Sequence, residues 1–192
     1  MVGRTLGHYR LVEQVGQGGM AAVYRARDLS LDRDCAVKVL HRHLQSERES
    51  RLRFAREAQA VARLRHPHIL EIYAYSVDEA DESFLVTEFI DGPTLRAHIN
   101  QHRPRFPEIA AMIGCQIARA LSLAHRQGVV HRDIKPENIM IRGAVCGQGS
   151  VVHCDFGIAR IVDKDHVTTT GQLLGSPAYM APVHIKGQRV DS

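Results

Sequence analysis

Residues 131–138 are His-Arg-Asp-Ile-Lys-Pro-Glu-Asn, and this stretch is the most informative in the sequence. Within one polar loop, Asp133 can accept a proton from a hydroxyl group, and Lys135 can neutralise a phosphoryl group during transfer. Asn138, together with the later Asp155, offers hard oxygen ligands of the kind that Mg²⁺ takes. Each residue alone could be a turn residue or a surface charge, so only the ordered set, with the features upstream, points to chemistry.

A glycine-rich loop lies upstream at residues 16–19, between strand-like runs at 9–15 and 22–27. Glycines let backbone N–H groups approach phosphate oxygens without a Cβ in the way. A hairpin turn would explain these glycines equally well, so the loop alone is a weak signal. A dinucleotide-binding βαβ unit would need a helix directly after the glycines, whereas this sequence predicts a strand there.

A third strand-like run, at residues 35–40, carries Lys38. Strand alternation places Ala36 and Lys38 on the same face. A charged side chain among apolar neighbours is costly unless it pairs with an opposite charge. Glu57 is a candidate partner because it lies on the apolar stripe of a helix predicted at 49–65. An exposed helix charge is an equally good interpretation of Glu57 alone.

The order of predicted elements changes near Asp91-Gly92-Pro93. Strands are predicted at 69–77 and 84–89 before this break, and a long amphipathic helix at 107–127 after it. The pattern therefore predicts a β-rich N-lobe with one helix at residues 1–90, and a mainly helical C-lobe at residues 91–192.

Composition excludes several classes of protein. The 192 residues carry a formal net charge of +4, but the 25 basic residues are scattered among 21 acidic ones, which disfavours nucleic-acid binding. Four cysteines without a paired spacing favour reduced thiols in the cytoplasm, and no apolar run approaches the ~20 residues of a membrane span. His41 and His43 lack the spacing of a metal pair and are interpreted as surface residues.

Taken in order, these motifs resemble those of eukaryotic-type protein kinases, and they are most similar to bacterial serine/threonine kinases. The similarity runs from about residue 9 to residue 187. It implies a two-lobed α+β fold with ATP and Mg²⁺ between the lobes, and transfer of the γ-phosphoryl group to Ser or Thr of protein substrates in bacterial signalling. It also implies a kinase–kinase dimer as a partner arrangement. A small-molecule kinase is disfavoured because residues 175–179 resemble the protein-substrate loop of serine/threonine kinases.

The resemblance also implies roles for individual residues. Asp133 orients the substrate hydroxyl, Lys135 is typical of the serine/threonine class, and Asn138 with Asp155 holds Mg²⁺. Lys38, held by Glu57, contacts the α- and β-phosphates. The residues implied to cover the phosphates are Gly16, Gln17, Gly18 and Gly19.

An adenine pocket follows by position in the same resemblance. Thr87 occupies the gatekeeper position, and the backbones of Glu88 and Ile90 are implied to bond the adenine. The side chains implied to sandwich the ring are Val23, Ala36 and Met140. Ordinary core packing is compatible with the same residues.

There are three departures from the family pattern, and the last two favour an alternative function. Ala21 replaces a glycine of the loop and is expected only to stiffen it, Val183 stands where the family has glutamate, and the sequence ends at Ser192 before the helices that complete the C-lobe. The alternative is a pseudokinase-like module that binds a nucleotide or a partner with little or no turnover, and a chain ending at Ser192 is expected to be a poor enzyme. Retention of the catalytic and metal-binding residues favours the enzyme.

Overall fold

The computed structural model describes residues 1–77, 82–102, 106–131, 133–143, 150–154, 177–179 and 182, with the backbone alone at positions 53, 57 and 177. The chain divides into two units. The first consists of residues 1–65 and 70–90, and the second of residues 66–69 and 91–192. Within the described ranges, no helix is long and apolar enough to cross a membrane.

The first unit is built on an antiparallel six-stranded sheet with the order β1-β2-β3-β4-β6-β5. Two helices, α1 and α2, connect β4 to the later strands. The strands are β1 (Thr5–Leu6), β2 (Tyr9–Gln17), β3 (Ala21–Asp28), β4 (Arg33–Leu40), β5 (Ile72–Ser76) and β6 (Phe84–Glu88), and the helices are α1 (Arg42–Gln45) and α2 (Arg48–Ala62).

Strand alternation divides the apolar residues of this unit between the two faces of the sheet. On one face, Val37 and Val86 are fully buried in a core with Tyr24. On the other face, Leu40 and Leu85 pack against Phe54 of α2. Helix α2 therefore covers the face to which Ala36 and Lys38 belong, as the period of two along β4 predicts.

The second unit places a β-hairpin against helices. Its elements are α3 (Leu95–His102), α4 (Pro107–Arg126), a 3₁₀ turn (Pro136–Asn138), β7 (Ile139–Arg142), β8 (Ser150–His153) and a second 3₁₀ turn (Pro177–Tyr179). Leu95 of α3 and Ile117 of α4 pack on Ile141 and Val151 of the hairpin. Helix α4 begins with proline, whose missing N–H costs nothing in the first turn.

Most predicted boundaries agree with the structure to within two residues, and two differ by three. The helix predicted to reach residue 65 ends at Ala62, and the strand predicted from residue 69 begins at Ile72. Residues 66–69 belong instead to the second unit, where Ile69 forms a parallel bridge with His153. The N–H of His153 donates to the carbonyl oxygen of His68 over 2.9 Å, so pairing distant in sequence overrides the local strand pattern.

Gly92 lies where a side chain does not fit. A Cβ at this position would overlap the backbone carbonyl oxygen of Ile141. The backbone of Ile141 is held close to this segment because its N–H donates to the Pro93 carbonyl oxygen over 3.0 Å. We expect Gly92→Ala to lower the free energy of unfolding by about 1–3 kcal/mol, because backbone rather than a flexible side chain has to move. Urea denaturation measures this change.

The same substitution at Gly114 is a matched control. Gly114 is exposed within α4, and a Cβ added there would meet open space, so Gly114→Ala is expected to raise the free energy of unfolding by about 0.5–1 kcal/mol. Equal effects of the two substitutions would contradict the close approach of Gly92 to the hairpin.

Candidate active site

The polar loop of residues 131–138 is held between helix α4 and strand β7. Gly128 ends the helix with φ of +74°, a conformation that glycine adopts without strain. The N–H of Val129 then donates to Ala124 over 2.9 Å, and His131 is buried. At the other end, the 3₁₀ turn Pro136–Asn138 leads directly into β7. Both ends of the loop are therefore fixed to regular structure.

Asp133 is the centre of a hydrogen-bonded cluster. Its Oδ2 atom lies 2.8 Å from Lys135 Nζ and accepts a hydrogen bond of 3.0 Å from Asn138 Nδ2. Asn138 Nδ2 also donates to the Asp133 carbonyl oxygen over 2.9 Å. The Asp133 N–H donates to the His131 carbonyl oxygen over 2.9 Å. Two side-chain donors therefore fix the orientation of the carboxylate through one of its oxygens.

Asn138 joins this cluster to the end of strand β8. Its backbone N–H donates to the carbonyl oxygen of Lys135 over 3.0 Å, and its backbone carbonyl oxygen accepts from the N–H of Cys154 over 3.0 Å. Because the side-chain nitrogen faces Asp133, the amide oxygen lies on the opposite side of the group. An amide oxygen is a ligand type that Mg²⁺ takes, so Asn138 fits its predicted role in a metal site.

The second predicted metal ligand, Asp155, follows Cys154 directly but lies outside the described residues. Among the residues that the structure does describe, no group of three or more His, Cys, Asp or Glu could hold a metal ion. The side chain of Glu57, the predicted partner of Lys38, also lies outside the described part.

Three histidines lie close together where the polar loop begins. The rings of His131 and His153 are 5.2 Å apart and meet edge to face, while Nδ1 of His68 lies 2.9 Å from the Val151 carbonyl oxygen. Burial, followed by the neighbouring histidines, lowers the pKa of His153 from its ordinary value of 6.5 to about 4. His153 is therefore neutral in the folded protein at neutral pH.

This shift predicts how stability depends on pH. Since the folded-state pKa lies below the unfolded value, the unfolded chain binds the extra proton, and stability falls as the pH drops from about 6.5 towards 4. The expected loss from this one group reaches about 3 kcal/mol at the low end. Urea denaturation across this pH range should show it, and His153→Leu should flatten the profile. His43→Leu, at an exposed histidine, should leave the slope unchanged, and an equally flat profile in that control would contradict the assignment.

Arg96 is a member of the site that the sequence did not indicate. Its Nε donates to Oε1 of Glu137 over 2.9 Å, and its guanidinium lies 5.6 Å from the ring centre of Tyr179. The hydrogen bond from Arg96 is the main cause that lowers the pKa of Glu137. Arg96 thus connects helix α3 to the catalytic loop and to the segment predicted to seat a substrate residue. Its partners lie 41 or more positions away, so no local pattern could have revealed them.

The first unit brings several predicted nucleotide-binding residues onto one face of its sheet. Val23 pairs with Lys38, and Ala36 pairs with Thr87, so these four side chains share a face. Val23, Ala36 and Lys38 are half-buried, whereas Thr87 is buried and donates to the Glu88 carbonyl oxygen over 3.0 Å.

The remaining predicted adenine contacts lie in both units. The backbone N–H of Glu88 donates to the backbone carbonyl oxygen of Glu71 over 3.0 Å, and Ile90 is buried at the end of the first unit. Met140, by contrast, is a half-buried residue of β7 in the second unit, opposite Val152.

The glycine-rich loop closes the turn between β2 and β3. Gly16 pairs with Val23, Gln17 pairs with Ala22, and the N–H of Gly18 donates to the Ala21 carbonyl oxygen over 2.8 Å. The third predicted glycine, Gly19, lies at the tip, where a Cβ would meet open space.

His41 contacts this loop, which its interpretation as a surface residue missed. Its ring Nε2 lies 2.8 Å from the Gly18 carbonyl oxygen, and its backbone N–H donates to the Met20 carbonyl oxygen over 2.8 Å. The contact spans 23 positions, and the isolated histidine carried no pattern that would indicate it.

Comparison with known proteins gives concordant matches. The family model described as the protein kinase domain matches residues 9–192. Serine/threonine-protein kinase PrkC of Bacillus subtilis is 39% identical over 184 residues, covering 96% of this chain and 28% of that protein. Serine/threonine-protein kinase PknB of Mycobacterium tuberculosis is 39% identical over 189 residues, covering 96% of this chain and 30% of that protein.

The solved structures include a similar fold. The Mycobacterium tuberculosis PknI kinase domain matches with a TM-score of 0.73 and 29% identity, over 100% of this chain and 70% of that chain. This match confirms the α+β fold class predicted from the sequence. The chain spans less than a third of the length of the two curated relatives.

Proposed function

Since the chain belongs to the protein kinase domain family, we propose that it transfers the γ-phosphoryl group of ATP to Ser or Thr side chains of proteins. The observation that carries this proposal is the Asp133 carboxylate, oriented by Lys135 and Asn138 within hydrogen-bonding distance. The names of the relatives PrkC and PknB as serine/threonine-protein kinases support the same reaction and a role in bacterial signalling.

The catalytic loop is suited to positioning and charge stabilisation. The Asp133 carboxylate can accept a hydrogen bond from a substrate hydroxyl, orient it for attack and take its proton. Lys135 Nζ, 2.8 Å from the same carboxylate, can neutralise charge on the transferring phosphoryl oxygens. Mg²⁺, when bound, supplies further neutralisation of the phosphates, and Asn138 with Asp155 are its proposed ligands.

Nucleotide binding is proposed for the residues of the first unit and for Met140. The backbone N–H groups of residues 16–19 and the Lys38 ammonium group provide positive charge for phosphate oxygens. Val23, Ala36 and Met140 provide apolar surface for the adenine ring. Val23 and Ala36 share one face of the sheet and are half-buried, which supports that role in the first unit, and Met140 is proposed on the family resemblance alone.

The proposed partners are protein substrates with accessible Ser or Thr. A second kinase chain is proposed as a partner on the family resemblance alone. The proposed compartment is the cytoplasm, where ATP is available and where thiols such as those of Cys35, Cys115 and Cys154 remain reduced.

The test combines the purified chain, radiolabelled ATP, Mg²⁺ and a mixture of basic and acidic protein substrates. We expect label in protein, and mass spectrometry should place the phosphate on Ser or Thr. ATP binding without any transfer, measured in single turnovers, would support the pseudokinase-like alternative. Phosphate on Tyr alone would contradict the serine/threonine assignment.

A further inference from the structure

His41 holds the glycine-rich loop through two different groups. Its backbone N–H donates to the Met20 carbonyl oxygen, and its ring Nε2 lies 2.8 Å from the Gly18 carbonyl oxygen. Because a carbonyl oxygen only accepts hydrogen bonds, Nε2 must carry the proton and donate. The residue directly follows β4, the strand that carries Lys38.

We propose that His41 is a positioning residue for the phosphates of ATP, acting through the peptide unit that joins Gly18 and Gly19. In a planar trans peptide, the C=O group and the following N–H group point in opposite directions. The His41 ring donates a hydrogen bond to the Gly18 carbonyl oxygen, so the Gly19 N–H points away from His41. In that direction it can donate to a phosphate oxygen. This inference rests on the proposed function, because it assigns the loop a phosphate ligand.

The two glycines make this hydrogen bond decisive for the orientation of the peptide. Neither residue has a Cβ, so the unit between them can rotate without the steric barrier that other residues impose. The units on either side are fixed in other ways: the Gly18 N–H, in the preceding unit, donates to the Ala21 carbonyl oxygen, and the Met20 carbonyl, two units further on, accepts from the His41 backbone. The His41 side chain holds the first of the two units that lie between them.

The base of the loop is rigid, which allows a single hydrogen bond to act at its tip. Met20 packs against the cluster formed by Leu40, Phe54 and Leu85. Ala21 is buried, and β3 pairs with β4 along its whole length. Loss of the His41 ring should therefore reorient one peptide unit without unfolding the sheet.

The experiment compares the binding of ATP with that of adenosine, which lacks phosphates. For His41→Leu we expect the Kd for Mg-ATP, measured by titration calorimetry, to rise about fivefold to tenfold, the effect of one lost hydrogen bond. The Kd for adenosine should not change. His41→Gln places an amide N–H near the position of Nε2 and should restore ATP binding. His102→Leu, at an exposed histidine of α3, is the control and should bind ATP as the parent chain does, whereas the ring of His43 stacks on that of His41 and is left in place.

Each outcome separates the inference from the function on which it rests. An unchanged Kd for ATP in His41→Leu, or equal weakening of ATP and adenosine, would overturn the positioning role while leaving ATP binding intact. Failure of the parent chain to bind ATP would overturn the proposed function itself. A nitrogen-15 NMR spectrum of the parent chain is independent of any variant: it should show a proton on Nε2 of His41, and a neutral ring protonated on Nδ1 would contradict the hydrogen bond.

Discussion

Replacing Asp133 by Asn is expected to lower the rate of phosphoryl transfer by about 10²–10⁴-fold, while the Kd for ATP stays nearly unchanged. Lys135 and Asn138 both donate to one oxygen of the carboxylate. The amide oxygen of an introduced Asn would satisfy these donors, and its NH₂ group would replace the second carboxylate oxygen. A substrate hydroxyl group would then meet a donor in place of a proton acceptor. Single-turnover transfer of labelled phosphate measures the rate, and calorimetry measures ATP binding.

A matched control for this variant is Asp91→Asn. Asp91 is an exposed carboxylate of the same unit, and its removal changes the net charge equally. The control should transfer phosphate at the parent rate. A parent-like rate in Asp133→Asn would remove Asp133 from the mechanism, whereas an equal loss in both variants would indicate an effect of net charge.

Lys38→Met is expected to weaken ATP binding and to lower transfer by about 10²–10³-fold, the range measured when one charge-stabilising donor is removed from an active site. Lys38 lies on β4 opposite Val23 of β3 and is half-buried on the face of the sheet that α2 covers. Methionine has a similar length and retains apolar contact with this face, so the sheet should remain folded. The variant thus removes the ammonium group with little change in packing.

Lys38→Arg tests whether charge alone is sufficient. Arginine keeps the positive charge but presents it as a broad planar group, so we expect only partial recovery of transfer. Thermal unfolding of both variants should match that of the parent chain. Full transfer by Lys38→Met would show that the ammonium group has no part in the reaction.

The features that could be predicted from the sequence are those that depend on residues close together in the chain. The alternation along β4 correctly predicts which residues share a face with Lys38, and the apolar spacing of α4 predicts a helix that runs from Pro107 to within one residue of its observed end. The polar loop at 131–138 is recognisable because its charged and polar residues lie within eight consecutive positions.

The features that could not be predicted depend on contacts between distant parts of the chain. The pairing of Ile69 with His153 removes residues 66–69 from the strand pattern in which they lie. The hydrogen bonds of His41 and Arg96 join positions 23 and 41 apart. Helix α3 was not predicted either. Leu95 is the one buried residue of this fully described helix, and its largely polar remaining sequence shows no apolar spacing typical of a helix.

The hydrogen bonds of Asn138 have a consequence for how this loop can evolve. One residue joins the carboxylate of Asp133, the carbonyl of Lys135 and the N–H of Cys154. Because Lys135 Nζ and Asn138 Nδ2 share one carboxylate oxygen of Asp133, substitutions at these three positions should show epistasis: the cost of a second change depends on whether the first has already removed the shared oxygen or a donor to it. Neutral drift is restricted at such a junction, since no single replacement of Asn138 can supply both a donor to Asp133 and an oxygen of the same reach. Variation is expected to accumulate instead at exposed positions such as Asp91 and His43, which the loop does not contact through any of these bonds.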